Sequence, residues 1–185
     1  MFDKEGFVEE CRAALKERDS HAAVRELVAR AVKEPMQIVR ALGEPRRAGV
    51  ETIYKADDLT ILNLCWGPQM KFKAHDHRMW AVIGIYEGCE QNVFYQRAEH
   101  GLKQHATKEL HAKDTVPLGH AIIHAVTNPL DQVTAAIHVY GGDFFATSRS
   151  EWDPTTFEER PYDVADTMRA FEEANERLRE TVPRS

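Results

Sequence analysis

The chain has 185 residues, enough for one domain with a substantial hydrophobic core and no need of disulfides. Its composition is that of a globular protein, with 43% hydrophobic and 29% charged residues. The formal net charge of -6 and the lack of a basic cluster argue against a nucleic-acid partner. No run of about 18 apolar residues and no signal-peptide pattern stands out. We therefore expect a cytoplasmic protein with no membrane partner.

The first part of the chain, residues 1–48, is predicted to be helical. Apolar residues at helical spacing indicate two helices within residues 4–33, with Ser20 as the N-cap of the second. Pro35 and the stretch 42–49 are expected to end this region. The apolar positions are Phe7, Val8, Cys11, Ala14 and Leu15, followed by Val24, Leu27, Val28 and Val32.

Residues 51–150 change to short runs rich in Val, Ile, Thr, Tyr and Phe, each ending at turn residues. Short strands at regular spacing with no helices between them predict a sandwich or barrel. A final amphipathic helix is expected within 161–181, capped by Asp163. The prediction is thus one domain over 1–185. Three cysteines at unrelated spacings, Cys11, Cys65 and Cys89, indicate reduced thiols rather than disulfides.

The nine histidines fall into two groups. Those in polar stretches are expected to be solvated, and they are His21, His100, His105 and His111. Those in or beside apolar runs are His75, His77, His124 and His138. Because side chains alternate along a strand, His75 and His77 point to one face, with rings close enough to share a cation. Neutral imidazole binds divalent iron, zinc, nickel or copper strongly, so the pair predicts a metal site.

Two spacings in this region resemble the signature motifs of the cupin superfamily, small jelly-roll barrels that hold a metal inside. In the first, three residues separate His77 from Ala81, and six more lead to Gly88. In the second, three residues separate His124 from Asn128. The resemblance implies a mainly β fold, the cupin double-stranded β-helix, with N-terminal helices and a C-terminal helix.

The same resemblance implies a set of metal ligands. Most cupins have a glutamate ligand at the position of Ala81, so the implied ligands here are His75, His77 and His124. His120 lies on the same predicted strand face as His124 and is the alternative third ligand.

A site of three histidines without the glutamate resembles that of the thiol dioxygenases, the cysteine and 3-mercaptopropionate dioxygenases. In both groups a Ser-x-His-x-Tyr relay follows, which His138 and Tyr140 match while Ala136 replaces the serine. Nine residues after Tyr140, Arg149 matches the arginine that holds the substrate carboxylate in 3-mercaptopropionate dioxygenases. Trp80 matches a tryptophan that the bacterial 3-mercaptopropionate dioxygenases carry three residues after the second histidine of the HxH pair. We expect its side chain either to form a wall of the cavity or to lie in the core.

Two departures favour 3-mercaptopropionate over cysteine as the substrate. Animal cysteine dioxygenases carry a carboxylate-binding arginine near the start of the β domain, where this chain has Ala56. They also carry a cysteine crosslinked to the relay tyrosine, where this chain has Val82. We expect Cys89 to be an ordinary cysteine.

The resemblance implies a non-haem Fe(II) enzyme whose partners are a small thiol and O2 and whose product is a sulfinic acid. Tyr140, oriented by His138, would steady the bound oxygen or the carboxylate, and Arg149 would bind the carboxylate through two parallel hydrogen bonds. Two other functions stay open. One is a different metal-dependent cupin enzyme, a C–C cleaving dioxygenase or an isomerase using manganese, nickel or zinc. The other is a sensor that binds a small molecule without turnover.

Overall fold

A computed structural model describes residues 2–181, the side chain of Thr181 excepted. Three helices precede the strands and one follows them. The helices are α1 (Lys4–Ala14), α2 (Ser20–Val32), α3 (Pro35–Leu42) and α4 (Val164–Thr181). The strands are β1 (Gly49–Lys55), β2 (Thr60–Trp66), β3 (Lys71–Asp76), β4 (Ala81–Glu87), β5 (Cys89–Ala98), β6 (Gly101–His111), β7 (Thr115–Leu118), β8 (Ile123–Thr127), β9 (Thr134–Tyr140), β10 (Ser150–Trp152) and β11 (Glu159–Pro161).

The strands form two antiparallel sheets. One has five strands in the order β1-β2-β9-β4-β7, and the other has six in the order β11-β10-β3-β8-β5-β6. Strands that are distant in the chain, such as β2 and β9 or β3 and β8, are therefore neighbours in space. This mainly β arrangement, with helices at both ends, confirms the predicted double-stranded β-helix.

Strands β2 and β9 of the five-stranded sheet are buried on both faces, which explains why they are apolar almost throughout. Along β9, Ala135, Ile137 and Val139 pack into the core beneath the N-terminal helices. Ala136 and Tyr140 alternate with them and face the barrel interior. The helices approach this sheet closely, since a Cβ on Gly84 would lie 2.4 Å from Val28 of α2.

Two details of the N-terminal helices correct the sequence prediction. Asp19 rather than Ser20 caps α2, because its side chain accepts a hydrogen bond from the backbone N–H of Ala22. Pro35 does not end the helical region but begins α3. Proline is tolerated in the first helical turn, where its missing N–H would have had no partner in any case.

The C-terminal helix was predicted correctly, and Asp163 caps it by accepting a hydrogen bond from the N–H of Asp166. Phe171 packs into the interior cluster, whereas Val164 and Met168 are 61% and 49% exposed. The apolar face of α4 is therefore only partly covered by protein. Among residues 2–181, no helix combines the length and apolar character needed to cross a membrane.

Candidate metal centre

Three histidines converge inside the barrel, on the face of the six-stranded sheet that looks inward. His75 of β3 and His124 of β8 are direct partners across two antiparallel strands. His77 follows the end of β3, and its ring centroid lies 5.1 Å from that of His75 and 5.0 Å from that of His124. All three side chains are buried. The structure thus brings together the three ligands that the sequence predicted.

The spacing of the ring nitrogens fits a shared cation. The Nε2 atom of His77 lies 3.3 Å from Nε2 of His75 and 3.3 Å from Nε2 of His124. Nitrogen ligands about 2.1 Å from one ion, at angles between octahedral and tetrahedral, are about 3.0–3.4 Å apart. In the part of the chain that the structure describes, these three form the buried group able to hold a metal ion.

Hydrogen bonds from Nδ1 of two of the rings direct their Nε2 lone pairs toward the centre of the three nitrogens. Nδ1 of His75 donates to the backbone carbonyl of Lys73 at 2.9 Å, and Nδ1 of His124 donates to Oδ1 of Asn92 at 2.7 Å. With the hydrogen on Nδ1, each Nε2 carries a lone pair. An N–H at Nε2 of His77 could donate to only one of these two lone pairs. A cation among the three nitrogens would accept the lone pairs of all three.

Burial keeps these imidazoles uncharged. Removal from water lowers the pKa of His75 to about 4 and holds the pKa values of His77 and His124 well below 6.5. Proximity of the rings to one another lowers the pKa values of His77 and His124 further. At neutral pH the rings are therefore in the form that binds metals.

A fully buried polar chain, which sequence reasoning missed, holds His124. Asn92 is oriented because its Nδ2 donates to Oε1 of Glu90 at 2.9 Å, which leaves Oδ1 to face His124. The other oxygen of Glu90 accepts from the indole N–H of Trp66 at 2.8 Å. The available signal was two polar residues at alternate positions of a predicted strand, which therefore share one face.

The position of the usual cupin glutamate lies on the interior face and is filled by a methyl group. Ala81 is completely buried in the same cluster as Tyr140, its partner across strands β4 and β9. No carboxylate is therefore supplied from that strand position, and the site has three neutral protein ligands.

Tyr140 and His138 lie side by side on β9. The Tyr140 hydroxyl and Nδ1 of His138 share a hydrogen bond of 3.0 Å, and the Tyr140 ring lies 5.2 Å from that of His77. Burial raises the pKa of Tyr140 and lowers that of His138 to about 3, so both are neutral at pH 7. Nε2 of His138 is buried without a hydrogen-bond partner and lies 4.0 Å from the Glu90 carboxylate.

Arg149 stands at the wall of the site between two aromatic rings. Its Cζ lies 3.9 Å from the ring centroid of Phe144 and 4.3 Å from that of Tyr162. The next residue is fixed, because the N–H of Ser150 donates to Asp76, which sits between the two histidines of the HxH pair. Nη1 of Arg149 is buried without a partner, and no carboxylate of the described residues pairs with this guanidinium.

A cavity of about 140 Å³ contains these groups. The residues around it include the three ligands together with His138, Tyr140 and Arg149. Side chains from both sheets, from the loop after β9 and from α4 form the rest of the wall. The predicted site residues therefore line one cavity, with the exception of Trp80.

Three residues that the sequence analysis singled out, namely Trp80, His21 and His120, lie outside the cavity. Trp80 belongs to the core beneath the N-terminal helices and does not line the cavity, so of the two expected locations the core is the one found. His21, expected to be solvated, is half-buried, stacks on Trp80 and contacts the carbonyl of Ala81 at 3.1 Å. His120 is exposed in the turn before β8, apart from the three ligands.

A second group with metal-binding atoms lies on the β5–β6 pair. It consists of buried Cys89 with exposed Glu109 and His111. Desolvation raises the pKa of the Cys89 thiol, so this sulfur is less available as a thiolate ligand. None of the three lines the cavity.

No protein-family model matches the chain. It is similar to a cupin-family protein with a double-stranded β-helix fold from Methanocaldococcus jannaschii, at 9% identity and a TM-score of 0.46, over 54% of this chain and 84% of that one. A double-stranded β-helix protein from Klebsiella pneumoniae is similar over 57% and 79%, at 11% identity and 0.45. A DMSP lyase from Ruegeria pomeroyi is similar over 59% and 53%, at 17% identity and 0.47. These likenesses concern the fold alone.

The first prediction concerns ligand identity. His77→Ala should abolish stoichiometric metal binding, because the central nitrogen of the group is lost, while the far-ultraviolet circular dichroism stays that of the folded barrel. Metal content after dialysis, measured by mass spectrometry, checks this. His120→Ala is the matched control and should retain full metal. Full occupancy in the His77 variant would remove His77 from the ligand set.

The second prediction concerns the residue behind His124. Asn92→Leu removes the acceptor of the Nδ1 hydrogen, and we expect metal affinity to fall about 10- to 100-fold. Competition with a chelator of known affinity measures the change. Asn63→Leu replaces a buried asparagine that bonds Tyr86 instead of a ligand, and it should leave the metal affinity unchanged. Equal affinities in both variants would contradict the role assigned to Asn92.

Proposed function

We propose that the protein is a non-haem Fe(II) thiol dioxygenase acting on a small mercapto-carboxylic acid. The observation that carries the proposal is the pairing of a buried all-histidine site with an unpaired guanidinium in the same cavity. In the reaction RSH + O2 gives RSO2H, so both oxygen atoms end on sulfur. Sulfur loses four electrons and O2 gains them, and no further reductant is consumed.

Bound Fe(II) would supply oxygen activation and would acidify a thiol that binds to it. The protein's part is to bind, orient and exclude water. Three neutral ligands leave the ion's positive charge undiminished and leave coordination positions open for small molecules. The buried, largely apolar wall keeps bulk water away from these positions.

Arg149 would bind the substrate carboxylate. Its guanidinium lies against the rings of Phe144 and Tyr162, and these contacts restrict its donors before an acid enters. A charge-assisted hydrogen bond of this kind contributes roughly 1.5–3 kcal/mol. That corresponds to about 10- to 150-fold in affinity.

Tyr140 would place a hydroxyl beside the reacting sulfur. Because burial raises its pKa, the hydroxyl keeps its proton and can donate a hydrogen bond to oxygen or to the carboxylate. For this role Nδ1–H of neutral His138 donates to the phenol oxygen of Tyr140, which leaves the O–H free to point at the reactants. His138 is thus a positioning residue, and Tyr140 is the group that touches the reactants.

The absence of an acidic wall favours 3-mercaptopropionate over cysteine. Among the described residues that line the cavity there is no aspartate or glutamate to pair with an α-ammonium group. Glu90 lies behind the wall, with its two oxygens accepting from Trp66 and Asn92. The sequence-based preference for 3-mercaptopropionate came from Ala56 and Val82, and neither residue lines the cavity. The preference therefore depends on the lack of acidic residues in the cavity wall.

A second candidate is another metal-dependent cupin enzyme, and one observation favours it. At position 136 the relay serine is replaced by alanine, and Nε2 of His138 faces the Glu90 carboxylate at 4.0 Å instead of a hydroxyl. A carboxylate in that place could serve proton transfer in a lyase or isomerase. Such an enzyme would act without consuming oxygen.

Oxygen uptake by Fe(II)-loaded protein distinguishes the two candidates. We expect uptake with 3-mercaptopropionate, less with cysteine, and less again with cysteamine, which lacks the carboxylate. Chelation of the iron should abolish uptake, and mass spectrometry should find the sulfinic acid. No uptake with any of the three thiols or with a mercapto acid that carries an aryl group, on protein shown to contain iron, would exclude the dioxygenase.

Arg149→Lys tests the carboxylate contact. A lysine keeps the charge but cannot form two parallel hydrogen bonds, so KM for 3-mercaptopropionate should rise about 10-fold or more. For cysteamine KM should change little, since it has no carboxylate to bind. Steady-state oxygen uptake measures both values. Equal changes for the two thiols would rule out Arg149 as the carboxylate-binding residue.

A further inference from the structure

The cavity is far more apolar than a three-carbon acid requires. Apart from four histidines, two tyrosines, Arg149 and Thr167, its wall consists of aliphatic, aromatic and methionine side chains. The deep part is formed by Leu62, Leu64 and Val126 from the strands, beside an aromatic cluster that consists of Trp66 and Phe171. The rings of these two residues stack 5.9 Å apart. Hydrocarbon thus forms most of the wall around the charged and polar groups.

The opening of the cavity is also apolar. The described residues include five large hydrophobic side chains that are exposed, and four of them line this one cavity. The four are Val50, Phe145, Val164 and Met168, between 40% and 61% exposed. They come from three separate segments, namely β1, the loop after β9, and α4. Exposed apolar surface gathered at a cavity marks a ligand-binding groove rather than chance.

The size of the cavity limits the apolar group that it can hold. About 140 Å³ is close to the roughly 150 Å³ of an engineered apolar cavity that binds benzene. The total volume therefore limits the apolar group of a ligand to at most one aromatic ring or a branched chain of similar size. A fatty acyl chain exceeds this limit.

We propose that the substrate is an aryl or branched-alkyl mercapto acid, whose carboxylate binds Arg149 and whose apolar group lies against Leu62, Leu64 and the aromatic cluster. The thiol in this statement rests on the function proposed above. The carboxylate and the apolar group of the ligand do not rest on that function, because they follow from the guanidinium of Arg149 and from the apolar wall of the cavity.

Binding of thiol-free acids tests the inference apart from turnover. The probes are propionate, pentanoate and 3-phenylpropionate, titrated calorimetrically into Zn2+-loaded protein, with 3-phenylpropylamine as the charge control. Affinity should rise about fourfold for each buried methylene. We expect 3-phenylpropionate to bind at least 30-fold more tightly than propionate and the amine not to bind. Equal affinities along the acid series would overturn the inference.

Two pairs of variants locate the binding. Met168→Gln at the opening should weaken 3-phenylpropionate about threefold or more, whereas Met36→Gln, which changes a somewhat more exposed methionine on α3, should have no effect. Arg149→Met should weaken all three acids by about 10- to 150-fold, since each has the same carboxylate. Equal losses in the two methionine variants would show that the acids bind outside this cavity and would overturn the inference.

The two proposals can fail separately. If the acids bind as expected but no thiol supports oxygen uptake, the inference about acid and apolar group stands and the dioxygenase proposal falls. If 3-mercaptopropionate is oxidised while the acid series shows equal affinities, the dioxygenase stands and the apolar substrate class falls.

Discussion

The site depends on holding three neutral imidazoles with their lone pairs facing one another, an arrangement that is unfavourable unless each ring is held and a cation is shared. His75 is held by a carbonyl of its own strand, and His124 by Asn92 of the neighbouring strand. Through Glu90 and Trp66 this second contact continues into the opposite sheet. Because every member is buried, an unpaired atom anywhere in the chain would be costly, which keeps the geometry fixed.

The part of the cavity wall around Arg149 is organised by the segments after β9. Asp76, between the two ligands of the HxH pair, binds the N–H of Ser150, and so the fold that places the histidines also places Arg149. The helix α4 then closes the cavity, with Phe171 against Trp66 and Asn175 bonded to both backbone groups of Ala48. The three histidines and Arg149 are thus held by one hydrogen-bonded framework.

Much of this could be predicted from the sequence, since it depends on periodicity and on motif spacing. Alternating strands, the final helix and the set His75, His77 and His124 are local patterns. The remainder is not local. Asn92 and Glu90 matter because β5 lies beside β8 in space, which no spacing along the chain reveals. The burial of Trp80 depends on how α2 covers the sheet, and α3 was missed because Pro35 was taken as an end rather than as the first residue of a helix.

Binding of a metal by His75, His77 and His124 is tested most directly by X-ray absorption at the metal edge of the loaded protein without substrate. With these ligands the metal should have nitrogen and oxygen neighbours only, with the scattering pattern of about three imidazoles. A sulfur neighbour at about 2.3 Å would contradict this ligand set. Such a result would place the metal at Cys89, Glu109 and His111, the group outside the barrel interior.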